Sequence, residues 1–469
     1  MKKRWMSGTL ALLLAGTTVA SMMPAVSVKA EGNTANGTTY YVDSQRGDDS
    51  NDGTAENKAF RTLGKVNELN LEPGDTVLLK KGSVFEDQAL TFTKEDSGTA
   101  EAPVKISTYG EGDRPKINTN GHGQWELNYG TRLDNVNHKW KGTVSSSILI
   151  EDTEYIEIDG LELTNDRKSS TDAETGKAYN DAYAMDRTGV AGVAKDNGTV
   201  DHIVLNDLYI HDVTGNVYNK HMTNGGIYFI VAKPTNEGET GIARYNDVQI
   251  RNCSLNKVNR WGIAVGYTYA HDKFQGAILD EEAFLKYGHE HVVVRNNYVK
   301  EAGGDGITAM YALRPLVEHN MTDCVAQEIN DRIYCCPQNR SGKVAAAIWP
   351  WKCKDALFRY NEATDMKLNQ DGMAYDADSG DGTVYEYNYS RANEGGCVMF
   401  CLEEAVNNIF RENISYGDLG GILSPSGNPD ALVEENTFYV YPDVPLLRQN
   451  MSDGKVTLIH NNIFTIYDK

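Results

Sequence analysis

Four aspartates fall within eleven residues of one short stretch, NQDGMAYDADSGDGTVYEYN, which covers residues 369–388. They are Asp371, Asp376, Asp378 and Asp381. Carboxylates packed this closely repel one another at neutral pH unless a cation or a shared proton compensates their charge. The stretch therefore indicates a catalytic carboxyl pair, a cation site or an acidic turn.

The segment after Gly372 has the pattern of a β-strand, in which successive side chains face opposite sides. With Tyr375 and Ala377 facing the interior together with Met373, Asp376 and Asp378 face outward. Their Cα atoms would then lie about 6.6 Å apart. Glycosidic cleavage uses two carboxyl groups roughly 5–5.5 Å apart for retention, or about 6.5–9.5 Å apart for inversion. The pattern thus predicts a candidate catalytic pair.

Asp371 and Asp378 are seven residues apart and fall on opposite faces of an extended strand. They could form a pair only if the chain bends between them, and Gly372 can provide that bend. An alternative role for Asp371 is that of a simple turn former, because the dipeptide Asp305-Gly306 occupies an equivalent position in an earlier repeat.

Aromatic residues accompany the acidic strand. Alignment on the small residues places Trp349 and Trp351 one repeat earlier, at the positions of Ala374 and Asp376, and Phe400 one repeat later, opposite Asp376. Outward tryptophans beside carboxylates predict a platform for a sugar ring, and packing under an inserted loop is the alternative. The other predicted substrate-binding residues are Trp261, Arg260 and His221.

A repeat of about 25 residues must position these side chains. An asparagine follows a hydrophobic residue by three positions at Asn297, Asn320, Asn361, Asn388, Asn413, Asn436 and Asn462. Each is followed by a second short strand that opens with small residues. Short strands, polar turns and a stacked asparagine ladder predict an all-β, right-handed parallel β-helix with long loop insertions.

The N-terminal region divides into a leader and an entry segment. Residues 1–30 have a basic start, an apolar run and a small-residue end, which predict a signal peptide and a secreted protein. Residues 31–469 are predicted to form one β-helix domain. Within it, residues 31–118 are predicted to form the N-terminal capping segment and the first coils. The part from Tyr40 to about Asn118 resembles the entry segment of pectate-lyase-like β-helix proteins, which implies a capping helix at FRTL and a first strand at GDTVLLKKG.

Charge and cysteine content restrict the partners. The formal net charge of -21 argues against nucleic acid and anionic membranes, and it favours a neutral glycan over an acidic one. No apolar run after the leader is long enough for membrane insertion. The seven cysteines are odd in number and lack CxxC spacing, so most are expected to be buried in strands.

The run DGMAYDADSGDGTVYEYNYSRANEGGCVMFCL resembles the active-site coil of the lacto-N-biosidases of glycoside hydrolase family 136. The resemblance implies release of lacto-N-biose from milk-type or mucin-type glycans with retention of configuration. It implies Asp371 as the general acid/base and Asp378 as the nucleophile, with Asp376 helping to hold their pKa values apart. Family members tend to need a dedicated helical chaperone, so a chaperone partner is implied as well.

Two other functions remain open from the residues alone. A polysaccharide lyase would hold calcium with Asp376, Asp378 and Asp381 and would use Arg314 or Lys352 as its base. A non-catalytic glycan-binding β-helix is the other alternative. The hydrolase itself requires no cofactor, although calcium could also bind the acidic GDDSNDG turn at residues 47–53.

Overall fold

The structure is a computed structural model that describes residues 37–166, 185–329, 343–428, 430–448 and 458–466. The predicted signal peptide lies outside these described residues, as do Cys335 and Cys336. The five cysteines described are all free, and Cys253, Cys353 and Cys397 are buried, as the sequence predicted.

The described strands stack into three sheets, and the chain visits the sheets in turn, which confirms the right-handed parallel β-helix. The first sheet contains, in spatial order, β1 (Thr39–Val42), β2 (Thr76–Lys80), β5 (Val104–Tyr109), β9 (Ile156–Asp159), β12 (Thr199–Asn206), β15 (Arg244–Arg251), β18 (Val293–Arg295), β21 (Leu316–Glu318), β24 (Leu357–Arg359), β27 (Val384–Glu386), β30 (Ile409–Arg411), β33 (Leu432–Glu434) and β35 (Leu458–His460). The second contains β3 (Val84–Glu86), β6 (Lys116–Asn118), β10 (Glu162–Asn165), β13 (Tyr209–Val213), β16 (Ser254–Val258), β19 (Tyr298–Lys300), β22 (Met321–Asp323), β25 (Glu362–Thr364), β28 (Tyr389–Arg391), β31 (Ile414–Tyr416), β34 (Thr437–Val440) and β36 (Ile463–Ile466).

The third sheet positions the aspartates. It contains β4 (Leu90–Phe92), β8 (Lys141–Glu151), β11 (Asp186–Ala194), β14 (Gly225–Val231), β17 (Trp261–Thr268), β20 (Ile307–Met310), β23 (Ile348–Trp351), β26 (Met373–Asp378), β29 (Gly396–Cys401) and β32 (Leu423–Ser424). An additional strand, β7 (Gln124–Asn128), pairs with β8 in antiparallel orientation. The described helices are α1 (Leu63–Asn67), α2 (Glu237–Thr240) and α3 (Glu281–Tyr287), and none has the length and apolar character needed to span a membrane.

The predicted asparagine ladder is present along one turn of the coil. The backbone N–H of Asn361 donates to Oδ1 of Asn388 at 2.9 Å, and the N–H of Asn388 donates to Oδ1 of Asn413 at 2.8 Å. The preceding residues adopt the left-handed conformation, with φ of 53° at Tyr360 and 57° at Tyr387. The ladder therefore satisfies buried polar groups at a turn that repeats in each coil.

The entry segment differs in detail from the prediction. Helix α1 begins at Leu63, the last residue of FRTL, and its Leu63 and Val66 join the apolar core. The GDTVLLKKG segment forms β2, the second strand of its sheet, because β1 precedes it and pairs with it in parallel. The assignment of that segment as the first strand was therefore wrong.

Two apolar clusters stabilise the fold. The larger one fills the interior of the coil with stacked aliphatic and aromatic side chains. The second lies on the outer face of the third sheet and includes Tyr129, Trp261, Phe274 and Trp349. Phe274 follows the short 3₁₀-helix His271–Lys273, in the insertion that leads from β17 to α3. Insertions thus cover the outer face of this sheet beside the acidic strand.

Candidate active site

The register of β26 differs from the alignment on small residues. Tyr375 pairs with Ile348 of β23, and Asp378 pairs with Trp351. The prediction that Trp351 aligns with Asp376 was therefore wrong by two residues. The start of β26 is displaced at Gly372, whose φ of +73° departs from strand geometry.

The interior and exterior faces of β26 agree only partly with the prediction. Tyr375 and Ala377 belong to the interior core, as predicted, whereas Met373 is buried outside that core and Ala374 belongs to it. Phe400 pairs with Ala377 and also lies in the interior core. The predicted substrate-binding role of Phe400 was therefore wrong, because its side chain faces away from the outer surface.

A cavity lies on the outer face of the third sheet, beside β26. Its enclosed volume is about 150 Å³. Its lining residues are Asp134, Asn135, His138, Lys220, His221, Trp261, Tyr267, Met310, Val344, Ala345, Ala346, Trp349, Trp351, Asp371, Asp376 and Asp378. The cavity thus brings together the three predicted carboxyls, the three predicted tryptophans and His221.

Asp371 reaches the cavity because the chain bends immediately before β26. Oδ1 of Asn369 accepts a hydrogen bond from the Asp371 N–H at 2.8 Å, and Arg448 donates to the Asp371 carbonyl oxygen at 2.8 Å. Gly372 then takes the left-handed conformation that a side chain would disfavour. The bend that the sequence required between Asp371 and Asp378 is therefore present.

Asp305 does not share the position of Asp371. Ile307 and Tyr375 both pair with Ile348, so Asp305 is level with Met373 instead. The Asp305 carboxylate is fully buried, pairs with Arg260 at 3.1 Å and accepts a hydrogen bond from Trp349 Nε1 at 3.1 Å. The proposed equivalence of the two turns was therefore wrong.

Arg260 is buried behind the cavity and does not line it. Its side chain is 0% exposed and donates to the Val344 carbonyl oxygen at 2.9 Å, in addition to its ion pair with Asp305. The guanidinium therefore stabilises the residues that support Trp349, and the prediction that Arg260 contacts substrate is not supported by its position.

The aromatic platform consists of three tryptophans. The rings of Trp261 and Trp349 stack with centroids 6.1 Å apart at 22°, and Trp351 meets Trp349 edge to face at 6.2 Å. The Lys220 Nζ lies over both stacked rings, 5.4 Å from the centroid of Trp261 and 5.3 Å from that of Trp349. The cavity thus combines aromatic faces with a cation close to carboxyl groups.

Burial is the largest cause of the raised pKa values of the three carboxyls in the cavity. It raises the pKa of Asp371 to about 6, although the charges of Lys220 and Arg448 oppose that rise. Burial also raises the pKa of Asp378 to about 7, against a hydrogen bond from the Ser379 hydroxyl. Burial and the neighbouring Asp378 and Asp371 hold the pKa of Asp376 well above its usual range. Burial therefore favours the protonated form of Asp376, and Asp371 and Asp378 can change protonation near neutral pH.

His221 is a neutral member of the opposite wall. Burial, followed by the nearby His138 and Lys220, keeps its pKa well below the ordinary value. Its Nδ1 lies 2.7 Å from the Tyr228 hydroxyl, and its ring stacks on Tyr267 at 3.9 Å. His221 thus lines the cavity, and its predicted contact with sugar stays a prediction.

Sequence reasoning missed several lining residues, including Lys220, Asp134, His138 and Tyr267. Asp134 and His138 come from the segment between β7 and β8, more than two hundred residues from the acidic strand. The hydroxyl of Tyr267 donates to Asp134 at 2.6 Å. No spacing in the sequence connects these residues, because the insertion meets the sheet only in the folded chain.

The predicted calcium cluster does not form. Ligand atoms of Asp376, Asp378 and Cys401 lie within 4.8 Å of one another, but Asp381 is engaged elsewhere, with Lys354 Nζ at 2.8 Å. Two carboxyls and a thiol do not fit calcium, which takes six to eight oxygen ligands. Neither candidate lyase base lines the cavity: Lys352 pairs with Glu404, and Arg314 pairs with Glu281.

The acidic turn near the N-terminus uses its carboxylates to cap its own backbone. Asp48 Oδ1 accepts from the Ser50 N–H at 2.9 Å, and Asp52 Oδ1 accepts from the Thr54 N–H at 3.0 Å. These are Asx turns, which account for the acidic residues without a cation.

A parallel β-helix with carboxyls and stacked tryptophans in an outer cavity is typical of enzymes that act on glycans. No family model matches the chain. It is 45% identical over 466 residues to a lacto-N-biosidase of Bifidobacterium longum subsp. longum, a match that covers 92% of this chain and 29% of that protein. The chain thus spans less than a third of the length of this curated relative.

The fold also matches solved structures closely. Native and selenomethionine crystal structures of the GH136 lacto-N-biosidase from Eubacterium ramulus superpose with a TM-score of 0.88 at 53% identity, over 92% of this chain and 68% of that chain. At this identity and coverage, the chain belongs to glycoside hydrolase family 136.

Proposed function

We propose that the protein hydrolyses a neutral oligosaccharide by a two-aspartate retaining mechanism and releases lacto-N-biose from milk-type or mucin-type glycans. The observation that carries the proposal is the convergence of Asp371 and Asp378 in one cavity, beside the stacked rings of Trp261 and Trp349. Membership of family 136 and the lacto-N-biosidase activity named for two relatives support it.

Each carboxyl has a defined role in this mechanism. Asp371 protonates the leaving-group oxygen while ionised Asp378 attacks the anomeric carbon, which forms a glycosyl-enzyme ester. Asp371, now ionised, then removes a proton from water, and the water cleaves the ester. Asp376 lies between them in the chain, and burial together with the two neighbouring carboxyls raises its pKa, which favours its neutral form over a third negative charge in the site.

The mechanism needs Asp371 protonated and Asp378 ionised when the sugar is bound. Burial raises the pKa values of both carboxyls toward neutrality in the free site. The proposal therefore assigns the choice between the two protonation states to the bound sugar. An oxygen atom of the leaving group beside Asp371 favours the protonated acid, and the developing positive charge at the anomeric carbon favours ionised Asp378.

The test is hydrolysis of lacto-N-tetraose by the purified chain, compared with Asp371→Asn and Asp378→Asn. We expect release of an intact disaccharide by the parent protein, with a rate loss of about a thousandfold or more in each folded variant. Asp355→Asn is the matched control, because this aspartate is 45% exposed and lies outside the cavity lining. Equal activity of all four proteins would overturn the assignment.

Two further measurements separate the roles. Proton NMR of the first product distinguishes retention from inversion before the anomers equilibrate. A p-nitrophenyl leaving group needs little protonation, so Asp371→Asn should retain far more activity on the p-nitrophenyl glycoside than on lacto-N-tetraose. Release of unsaturated sugar from an acidic glycan, with no hydrolysis of lacto-N-tetraose, would instead support a lyase.

We also propose that the protein acts outside the cell and folds with the help of a dedicated chaperone. The leader at residues 1–30 and the net charge of -21 support export of a protein that acts on neutral glycans. Fractionation of producing cells tests the location. Recovery of active protein with and without co-expression of candidate helical chaperones tests the partner.

A further inference from the structure

The cavity extends well away from the acidic strand. Strands β26, β23, β20 and β17 are successive neighbours, so β17 lies three strand spacings from β26, or about 14 Å. Tyr267 of β17 holds Asp134, His221 stacks on Tyr267, and the ring of His138 meets His221 edge to face at 4.7 Å. These four residues form the distal wall, which is the end of the cavity that lies farthest from β26 along the third sheet.

Within the part of the chain that the structure describes, His138 is the residue of the distal wall whose ring lacks a hydrogen-bond partner. Its side chain is 8% exposed, yet both ring nitrogens are buried and unpaired among those described residues. The nearest carboxylate oxygen, on Asp134, is 3.9 Å from Nδ1, which is beyond hydrogen-bond range. Buried polar groups in folded proteins are almost always satisfied, so a ligand is the natural partner for these two atoms.

The chemistry of the ring identifies the kind of ligand. Burial lowers the pKa of His138 to about 4, and nearby Lys220 contributes to the decrease, so the imidazole is neutral at neutral pH. A neutral imidazole offers one donor and one acceptor. Sugar hydroxyls, which both donate and accept, match this pair, whereas a carboxylate would accept only and would lie close to Asp134.

We propose that His138 binds hydroxyl groups of the outer sugar, the ring beyond the reacting one in the disaccharide that is released, and that it selects a neutral hexose there. The proposal rests on the proposed function. The lining residues assigned to the third sheet lie on β26, β23, β20 and β17, on one side of the carboxyls. As part of this proposal, the released disaccharide occupies the cavity with its outer sugar toward the distal wall, and the leaving portion extends out of the cavity.

The test uses p-nitrophenyl glycosides of lacto-N-biose in which single hydroxyls of the outer hexose are replaced by hydrogen. The wild-type protein should lose about tenfold or more in kcat/KM on at least one of these deoxy analogues, because the site is left with an unpaired polar group. His138→Phe, which keeps an aromatic ring against His221, should be poorer on the parent glycoside and should no longer distinguish it from that analogue.

Controls separate this proposal from the proposed function. His291→Phe is the matched variant, since His291 is exposed, bonds Asn246 and lies outside the cavity lining, and it should discriminate as the wild type does. If the wild type cleaves the parent but no deoxy analogue is poorer, the role of His138 is refuted even if His138→Phe fails to fold. Discrimination that persists in folded His138→Phe would refute it too. Failure of the wild type on every glycoside would refute the proposed function itself.

Discussion

Lys220 is the positive charge that we expect to control the pH dependence of catalysis. It is buried beside two tryptophans, and its Nζ donates a hydrogen bond to the Val344 carbonyl oxygen at 3.4 Å. Its charge opposes the burial that raises the pKa values of Asp371, Asp376 and Asp378. Removal of the charge should therefore raise all three pKa values further.

The substitution Lys220→Met removes the charge and retains an unbranched side chain. A nearby opposite charge typically lowers a carboxyl pKa by about 1–3 units, and we take about 1 unit as the minimum effect. With a pKa of about 7, Asp378 is ionised in about one molecule in eleven at pH 6; with a pKa of about 8, the fraction is about one in a hundred. We thus expect kcat/KM at pH 6 to decrease about tenfold, with the loss diminishing above pH 8.

The assay is a profile of kcat/KM between pH 4.5 and 9 with the p-nitrophenyl glycoside of lacto-N-biose, because this parameter reports the pKa values of the free enzyme. The control is Lys352→Met, which makes the same replacement at a buried lysine that pairs with Glu404 outside the cavity lining. An acidic limb that stays in place in Lys220→Met, with an equal loss at every pH, would refute the electrostatic reasoning.

Three further predictions concern stability and substrate binding. Burial raises the pKa of Asp376 in the folded protein above its value of about 4 in the unfolded chain. The free energy of unfolding is therefore unaffected by this carboxyl below about pH 4 and decreases as the pH rises through the folded-state pKa. Asp376→Asn, which stays neutral, should raise Tm at pH 8 and leave it unchanged at pH 4. Asn388→Ala removes the acceptor of the Asn361 N–H and the donor to the Phe358 carbonyl oxygen. Urea unfolding should therefore show that the free energy of unfolding decreases by about 3 kcal/mol, against about 0.5 kcal/mol or less for Asn137→Ala at an exposed position. Trp349→Phe should lower kcat/KM about tenfold through lost stacking and a lost bond to Asp305, whereas Trp125→Phe, which loses an indole bond to Ser146 outside the cavity lining, should not.

The periodic features of the fold could be predicted from the sequence. The asparagines of the ladder, from Asn297 to Asn462, bond to one another as the 25-residue repeat predicted. The repeat is readable because every coil faces the same problem: it must satisfy a buried turn and stack apolar side chains on the next coil. The outward direction of Asp376 and Asp378 followed from the same alternation, since they lie two positions apart on one strand.

The tertiary structure decided what the repeat could not. The register of β26 placed Asp378 opposite Trp351, and β29 placed Phe400 in the interior core together with Val398. A one-residue change of register moves a side chain to the other face, so small errors of alignment reverse a prediction. The distal wall depended on the insertion between β7 and β8, whose His138 meets the third sheet only after folding. The sequence by itself determined the coil, its ladder and its acidic strand, because these depend on local periodicity; the cavity depended on contacts between segments far apart in the chain, which periodicity does not encode.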